Sequence, residues 1–130
     1  TFPERSMVAK KHVLVVEDHE PMLGAIKSIL EMRGYTVSTA VNGVEALQLM
    51  EQTQPDLLIV DILMPEMDGY TFYEEVRKRP AWRSTPLIFL TSMAEREDIQ
   101  RGRALGVNGY ITKPFEPHDL LEAVRAGLER

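Results

Sequence analysis

The chain has 130 residues, 44% of them hydrophobic and 27% charged, ordinary values for one globular domain with room for a core. Twenty acidic residues against 15 basic ones leave a net charge of −5, which argues against nucleic acid as a direct partner. With no cysteine, disulfides and thiolate metal sites are excluded, and no apolar run approaches the roughly 20 residues that a bilayer crossing needs.

No charged-then-apolar signal opens the chain, so the expected compartment is the cytoplasm. Thr1 to Lys11 has no period and carries Pro3. It reads as a tail or an expression remnant ahead of a start at Met7, and the domain is expected over 12–130. Residues 12–17 read as a short buried strand. Pro21 suits the first turn of a helix, with Met22, Leu23, Ile26, Ile29 and Leu30 at helical spacing and Gly34 as its stop. Tyr35 to Thr39 alternates as a more exposed second strand. Asn42 is a good N-cap with Glu45 as its box partner, and Val44, Leu47 and Met50 mark the helix that follows.

Pro55 precedes a third strand at 57–61, and a loop over 62–69 carries Pro65 and the turn pair Asp68-Gly69. A third helix over about 70–79 places Phe72, Tyr73 and Val76 on one side. Pro80 and Pro86 bracket a loop before strand four at 87–91. The fourth helix, about 95–105, has a thin apolar face of Ile99, Ala104 and Leu105, and Gly102 costs it about 1 kcal/mol against alanine. Gly106 ends it, strand five is 109–112, and Pro117 opens a fifth helix striped by Leu120, Leu121, Val124 and Leu128.

These are five βα units. Right-handed crossovers place helices on both faces of a parallel sheet, giving an α/β three-layer sandwich. With the flavodoxin-like order 2-1-3-4-5, strands one and three flank the point where strand order reverses, and ligands bind there beyond the carboxyl ends.

Four apolar runs end in groups suited to phosphoryl chemistry. The first ends in Glu17-Asp18, the third in Asp61, the fourth in Thr91 and the fifth in Lys113-Pro114. As neighbouring parallel strands they bring three carboxylates, a hydroxyl and an ammonium to one spot. Clustered carboxylates need a cation or a proton, and an all-oxygen set suits Mg²⁺ or Mn²⁺. Asp18 and Asp61 are the expected direct ligands, Glu17 reaches the ion directly or through water, and a backbone carbonyl beyond Asp61 adds another oxygen. Asp61, at the centre, can act as a nucleophile toward a phosphoryl donor. Lys113 contributes a compact positive charge and Thr91 a hydroxyl donor. Taken singly, each residue has an ordinary structural role, as a cap, a solvated lysine or a strand-end threonine; the joint pattern is what points to a site.

The stretches VVED at 15–18, VDILMPEMDGY at 60–70, LTS at 90–92 and GYITKPF at 109–115 make the chain resemble a bacterial response-regulator receiver domain over residues 12–129. The resemblance implies Asp61 as phosphoacceptor, Glu17 and Asp18 as the acidic metal pocket and the Leu63 backbone carbonyl as a further Mg²⁺ ligand. It implies Thr91 and Lys113 as catalytic groups, Thr91 and Tyr110 as the switch pair, and a cis bond between Lys113 and Pro114. It implies a sensor histidine kinase or histidine phosphotransfer protein as donor, and a downstream protein or output domain that reads the face formed by the fourth helix, fifth strand and fifth helix. It also allows a dimer on phosphorylation. The thin fourth helix fits an element of low local stability, where switching segments tend to lie.

Other readings are weaker. An aspartyl-nucleophile phosphohydrolase of the haloacid-dehalogenase kind places an acid two residues after the nucleophile, where this chain has Leu63. A flavodoxin-like cofactor binder wants a phosphate-cradling loop after strand one, where Asp18-His19-Glu20 would repel phosphate. A degenerate receiver serving only for docking would not keep a complete site. His12, His19 and His118 lack a metal-ligand arrangement and are expected at the surface. Met64, Met67 and Trp82 are expected to pack. The resemblance implies that Leu63 and Met93 stand at positions that tune hydrolysis, where polar groups can orient attacking water, so a long-lived phosphoryl group is expected.

Overall fold

The computed structural model describes residues 10–92 and 96–129, without the side chains of 96–99 and 102. Most of the expected tail, Met93 and the Ile99 side chain lie outside the described residues. The elements in chain order are β1 (His12–Val16), α1 (Glu20–Met32), β2 (Thr36–Ala40), α2 (Gly43–Thr53) and β3 (Leu57–Asp61). They continue with α3 (Gly69–Lys78), a short 3-10 turn (Pro80–Trp82), β4 (Leu87–Thr91), α4 (Arg96–Leu105), β5 (Gly109–Thr112) and α5 (Pro117–Leu128). All strand pairs are parallel, in the order β2-β1-β3-β4-β5.

Local chemistry explains the boundaries. Gly34, at φ +91, closes α1 in a conformation that a Cβ disfavours, and its N–H donates to Glu31 O at 3.0 Å. Asn42 Oδ1 accepts from the Glu45 N–H at 2.8 Å, while Glu45 Oε1 reaches back to the Val41 N–H at 3.1 Å, one residue beyond the usual box partner. Asp68 caps α3 by accepting from the Thr71 N–H at 2.8 Å.

The sheet separates two apolar layers. Leu58, Val60, Leu87 and Phe89 face α2 and α3, whose Ala46, Met50, Phe72 and Val76 are fully buried. Leu57, Ile59, Ile88 and Leu90 face α1 and α5, through Ile26, Leu30, Leu120 and Val124. The central strands are buried on both faces, so they read as continuous apolar runs rather than alternating ones.

Three expectations need adjustment. β2 begins and ends one residue later than its alternation suggested, because Thr36 N–H pairs with Lys11 O and Ala40 is the residue drawn into the core. Val44 is 46% exposed; the buried side of α2 is Gly43, Ala46 and Met50, set by how the helix rolls on the sheet. His12 is half-buried, with its ring bonded to Ser38 Oγ at 2.7 Å. Trp82, Met64 and Met67 pack into the α2/α3 layer as expected. Among the described residues no helix is long and apolar enough to cross a membrane.

Candidate acidic site at the strand ends

Register brings the polar strand ends together. Val16 pairs with Val60 and Asp61 with Leu90, while Thr91 pairs with Thr112. Three backbone bonds carry the ladder past the strands: Glu17 N–H to Ala40 O at 3.0 Å, Ile62 N–H to Leu90 O at 3.0 Å, and Lys113 N–H to Thr91 O at 2.7 Å. Glu17, Asp61 and Lys113 are therefore fixed by sheet geometry, not by loose loops.

Glu17, Asp18 and Asp61 each offer an oxygen within 4.8 Å of the others. Glu17 and Asp61 are buried and Asp18 is exposed. Lys113 Nζ lies 2.7 Å from Glu17 Oε1 and 3.3 Å from Asp61 Oδ2, so the ammonium pairs first with Glu17. Burial raises the Glu17 carboxyl above its ordinary value of 4.5; Asp61 adds to the rise and Lys113 opposes it. Burial works against the Lys113 ammonium, but its hydrogen bond to Glu17 and the charges of Asp61 and Glu17 outweigh that and raise its pKa.

Three carboxylates against one ammonium leave two negative charges in the cluster, matching a divalent cation. The oxygen-only donors fit a hard ion of the Mg²⁺ kind. The loop beyond Asp61 is anchored tightly. Leu63 N–H donates to Asp61 Oδ1 at 3.2 Å, and Gly69 N–H closes the loop on Ile62 O at 2.8 Å. A Cβ at Gly69 would stand 2.8 Å from Ile62 Cα and 2.9 Å from the Asp61 carbonyl oxygen, so only glycine permits this approach. The Leu63 side chain is 56% exposed beside the acid cluster.

Thr91 is buried at the end of β4, with its side chain on the α3 side of the sheet with Phe89. Tyr110 is half-buried, its ring centroid 6.4 Å from that of Phe89, and burial raises its hydroxyl pKa. The Lys113-Pro114 bond is cis, as expected. No histidine joins the acid cluster among the described residues. The sequence reading missed the direct Glu17–Lys113 pair. The residues are 96 apart in the chain, and no local pattern marks such a contact.

Comparison with known proteins agrees with this fold. The family described as response regulator receiver domain matches residues 13–125. A probable transcriptional regulator, ycf27 of Guillardia theta, is 40% identical over 93% of this chain and 46% of its own length. The chain thus spans about half the length of the first curated relatives it matches. Chemotaxis protein CheY4 of Vibrio cholerae superposes with a TM-score of 0.88 at 35% identity, covering 92% of this chain and 100% of that one. The receiver domain of sensor histidine kinase PA1611 of Pseudomonas aeruginosa has a TM-score of 0.85 at 29% identity, over 94% of this chain and 100% of its own. That structure holds a magnesium ion coordinated in its active-site cleft.

Proposed function

The chain belongs to the response regulator receiver family of two-component signalling, and from that premise we propose that Asp61 is its phosphoacceptor. The donor is a phosphohistidine on a sensor histidine kinase or a histidine phosphotransfer protein. A carboxylate oxygen of Asp61 forms the new P–O bond while the P–N bond breaks. The electron pair returns to the imidazole, and the product is an acyl phosphate on Asp61. Such transfers depend mainly on positioning and charge neutralisation.

Glu17, Asp18, Asp61 and the Leu63 carbonyl would hold Mg²⁺, or Mn²⁺ in its place, which supplies positive charge against the phosphoryl oxygens. Lys113 supplies a second positive charge, poised by its contacts with Glu17 and Asp61. The Thr91 hydroxyl bonds a phosphoryl oxygen, and Tyr110 turns into the space that this movement frees. The face of α4, β5 and α5 then changes its affinity for an output domain or downstream protein, or for a second copy of the chain. The receiver domain occupies residues 12–130 and works in the cytoplasm as a switch whose chemistry acts on itself.

The observation that carries this reading is a buried Asp61 beside two further carboxylates, with the Lys113 ammonium 3.3 Å from its Oδ2. The test is incubation with acetyl phosphate and Mg²⁺, followed by intact mass and peptide mapping. The expected result is one phosphoryl group on Asp61, absent from Asp61→Asn and abolished by chelation. A phosphoryl group retained by Asp61→Asn would overturn it.

A further inference from the structure

Two tyrosines of α3 contact α4 and tie it to the body of the domain. Among the described side chains of α4 only Leu105 is even half-buried, while Gln100, Arg101, Arg103 and Ala104 are exposed. In the sequence the apolar residues of α4 reduce to Ile99, Ala104 and Leu105, a thin stripe of the kind that anchors a helix weakly. Two residues one turn apart on α3 reach across to it. The Arg101 guanidinium lies over the Tyr70 ring, 3.8 Å from its centroid. The Tyr73 hydroxyl donates to the carbonyl of Leu105, one of the end carbonyls of α4 with no partner inside the helix.

Both tyrosine rings also rest on Phe89, at centroid distances of 5.3 Å for Tyr70 and 6.3 Å for Tyr73. Phe89 pairs in register with Tyr110, whose ring centroid lies 6.4 Å from its own, and stands two residues before Thr91 on the same face of β4. Phe89 thus sits between the residues that switch and the residues that hold α4. An inward turn of Tyr110 cannot occur without pressing on Phe89, because packed interiors transmit displacement rather than absorb it.

We propose that Tyr70 and Tyr73 form a two-point clamp that sets the resting position of α4, and that the Arg101–Tyr70 contact is the point that releases when the domain switches. The Tyr73 bond holds a backbone carbonyl in the last turn and acts as the pivot. The Arg101 contact lies farther up the helix, at an exposed side chain, and opens at lower cost. The proposal rests on the reading of Asp61 as acceptor and Tyr110 as switch. By linkage, a ligand that favours the switched state binds more tightly once the clamp is weakened, by the same factor that the clamp contributed.

The test uses the whole chain, Arg101→Gln, Tyr70→Leu and the double variant Arg101→Gln/Tyr70→Leu. Amide hydrogen exchange reads α4, and beryllofluoride with Mg²⁺ serves as the phosphoryl mimic. Arg101 is exposed, so its replacement leaves the core intact. In Arg101→Gln and Tyr70→Leu, exchange of the α4 amides is expected to rise about two- to five-fold, the factor expected of one exposed cation–π contact. Beryllofluoride affinity should rise by the same factor, while α1 amides stay unchanged. The double variant should not exceed Tyr70→Leu alone.

Unchanged α4 exchange in Arg101→Gln overturns the proposal. So do additive effects in the double variant, or faster exchange with unchanged beryllofluoride affinity. Failure of every variant, the parent included, to bind beryllofluoride instead refutes Asp61 as acceptor and removes the coupling with it. The exchange data still report whether the clamp exists.

Discussion

Replacing Lys113 with methionine isolates the electrostatics of the acid cluster. The ammonium is 2.7 Å from Glu17, whose side chain has 0% exposure, and its own side chain is 19% exposed. Breaking a buried pair by removing one partner typically costs about 3–5 kcal/mol, because the remaining charge is uncompensated. Two features pull the figure to the low end here. Lys113 keeps some solvent, and Glu17 already holds its proton to higher pH than an ordinary carboxyl.

The expectation for Lys113→Met is a loss of about 3 kcal/mol at neutral to mildly alkaline pH without magnesium, or about 10 °C in Tm for a domain of this size. The sign of the pH dependence follows from Glu17. As pH falls through its raised pKa the carboxyl becomes neutral, the stranded charge disappears, and the gap from the parent narrows. Added Mg²⁺ should narrow it too, since the cation replaces the lost positive charge and stabilises the native state by mass action. Urea unfolding across pH, with and without Mg²⁺, is the assay. A gap under about 1 kcal/mol, the size of a surface pair, would refute a buried pair. A gap indifferent to both pH and magnesium would refute the electrostatic account.

Gly69→Ala puts a methyl group 2.8 Å from Ile62 Cα and 2.9 Å from the Asp61 carbonyl oxygen; overpacking of this kind costs about 1–3 kcal/mol. Calorimetry should show a lower Tm together with weaker Mg²⁺ binding, and unchanged Mg²⁺ affinity would argue against a positioning role. Mg²⁺ affinity should itself fall as pH is lowered from neutrality, earlier than an ordinary glutamate would dictate, because Glu17 regains its proton above 4.5. Titration calorimetry at several pH values, with Glu17→Gln as the variant that loses this dependence, checks it. Leu63 offers no polar group to attacking water, so Leu63→Asn/Met93→Glu should speed decay of the Asp61 phosphate by on the order of ten-fold, well short of a full general base. Decay in Mg²⁺ buffer that is no faster than the parent's would count against that role.

Local physics made most of the architecture readable in the sequence. β3 and β4 are uninterrupted apolar runs because both of their faces are covered, and Pro55 and Pro86 mark their starts. Asn42, Gly34 and Pro117 announce helix ends through hydrogen-bonding and backbone preferences that act within a few residues. The candidate site was legible for a related reason: in a parallel sheet every strand ends on the same side, so four polar strand ends predict one cluster. Other features depended on how elements lie against one another. Val44 repeats at helical spacing with Leu47, yet the roll of α2 exposes it and buries Ala46. Lys113 lies 2.7 Å from Glu17 and 3.3 Å from Asp61, a ranking that the order of strand ends in the sequence does not carry. The contacts of Tyr70 with the Arg101 side chain and of Tyr73 with the Leu105 carbonyl join groups about 30 residues apart across a helix–helix gap. Sequence alone determined the elements, their order and the polar strand ends, because those follow from interactions within a few residues. Only the tertiary structure decided which charge meets which carboxylate and what holds α4, because those depend on distances across the sheet that no local pattern encodes.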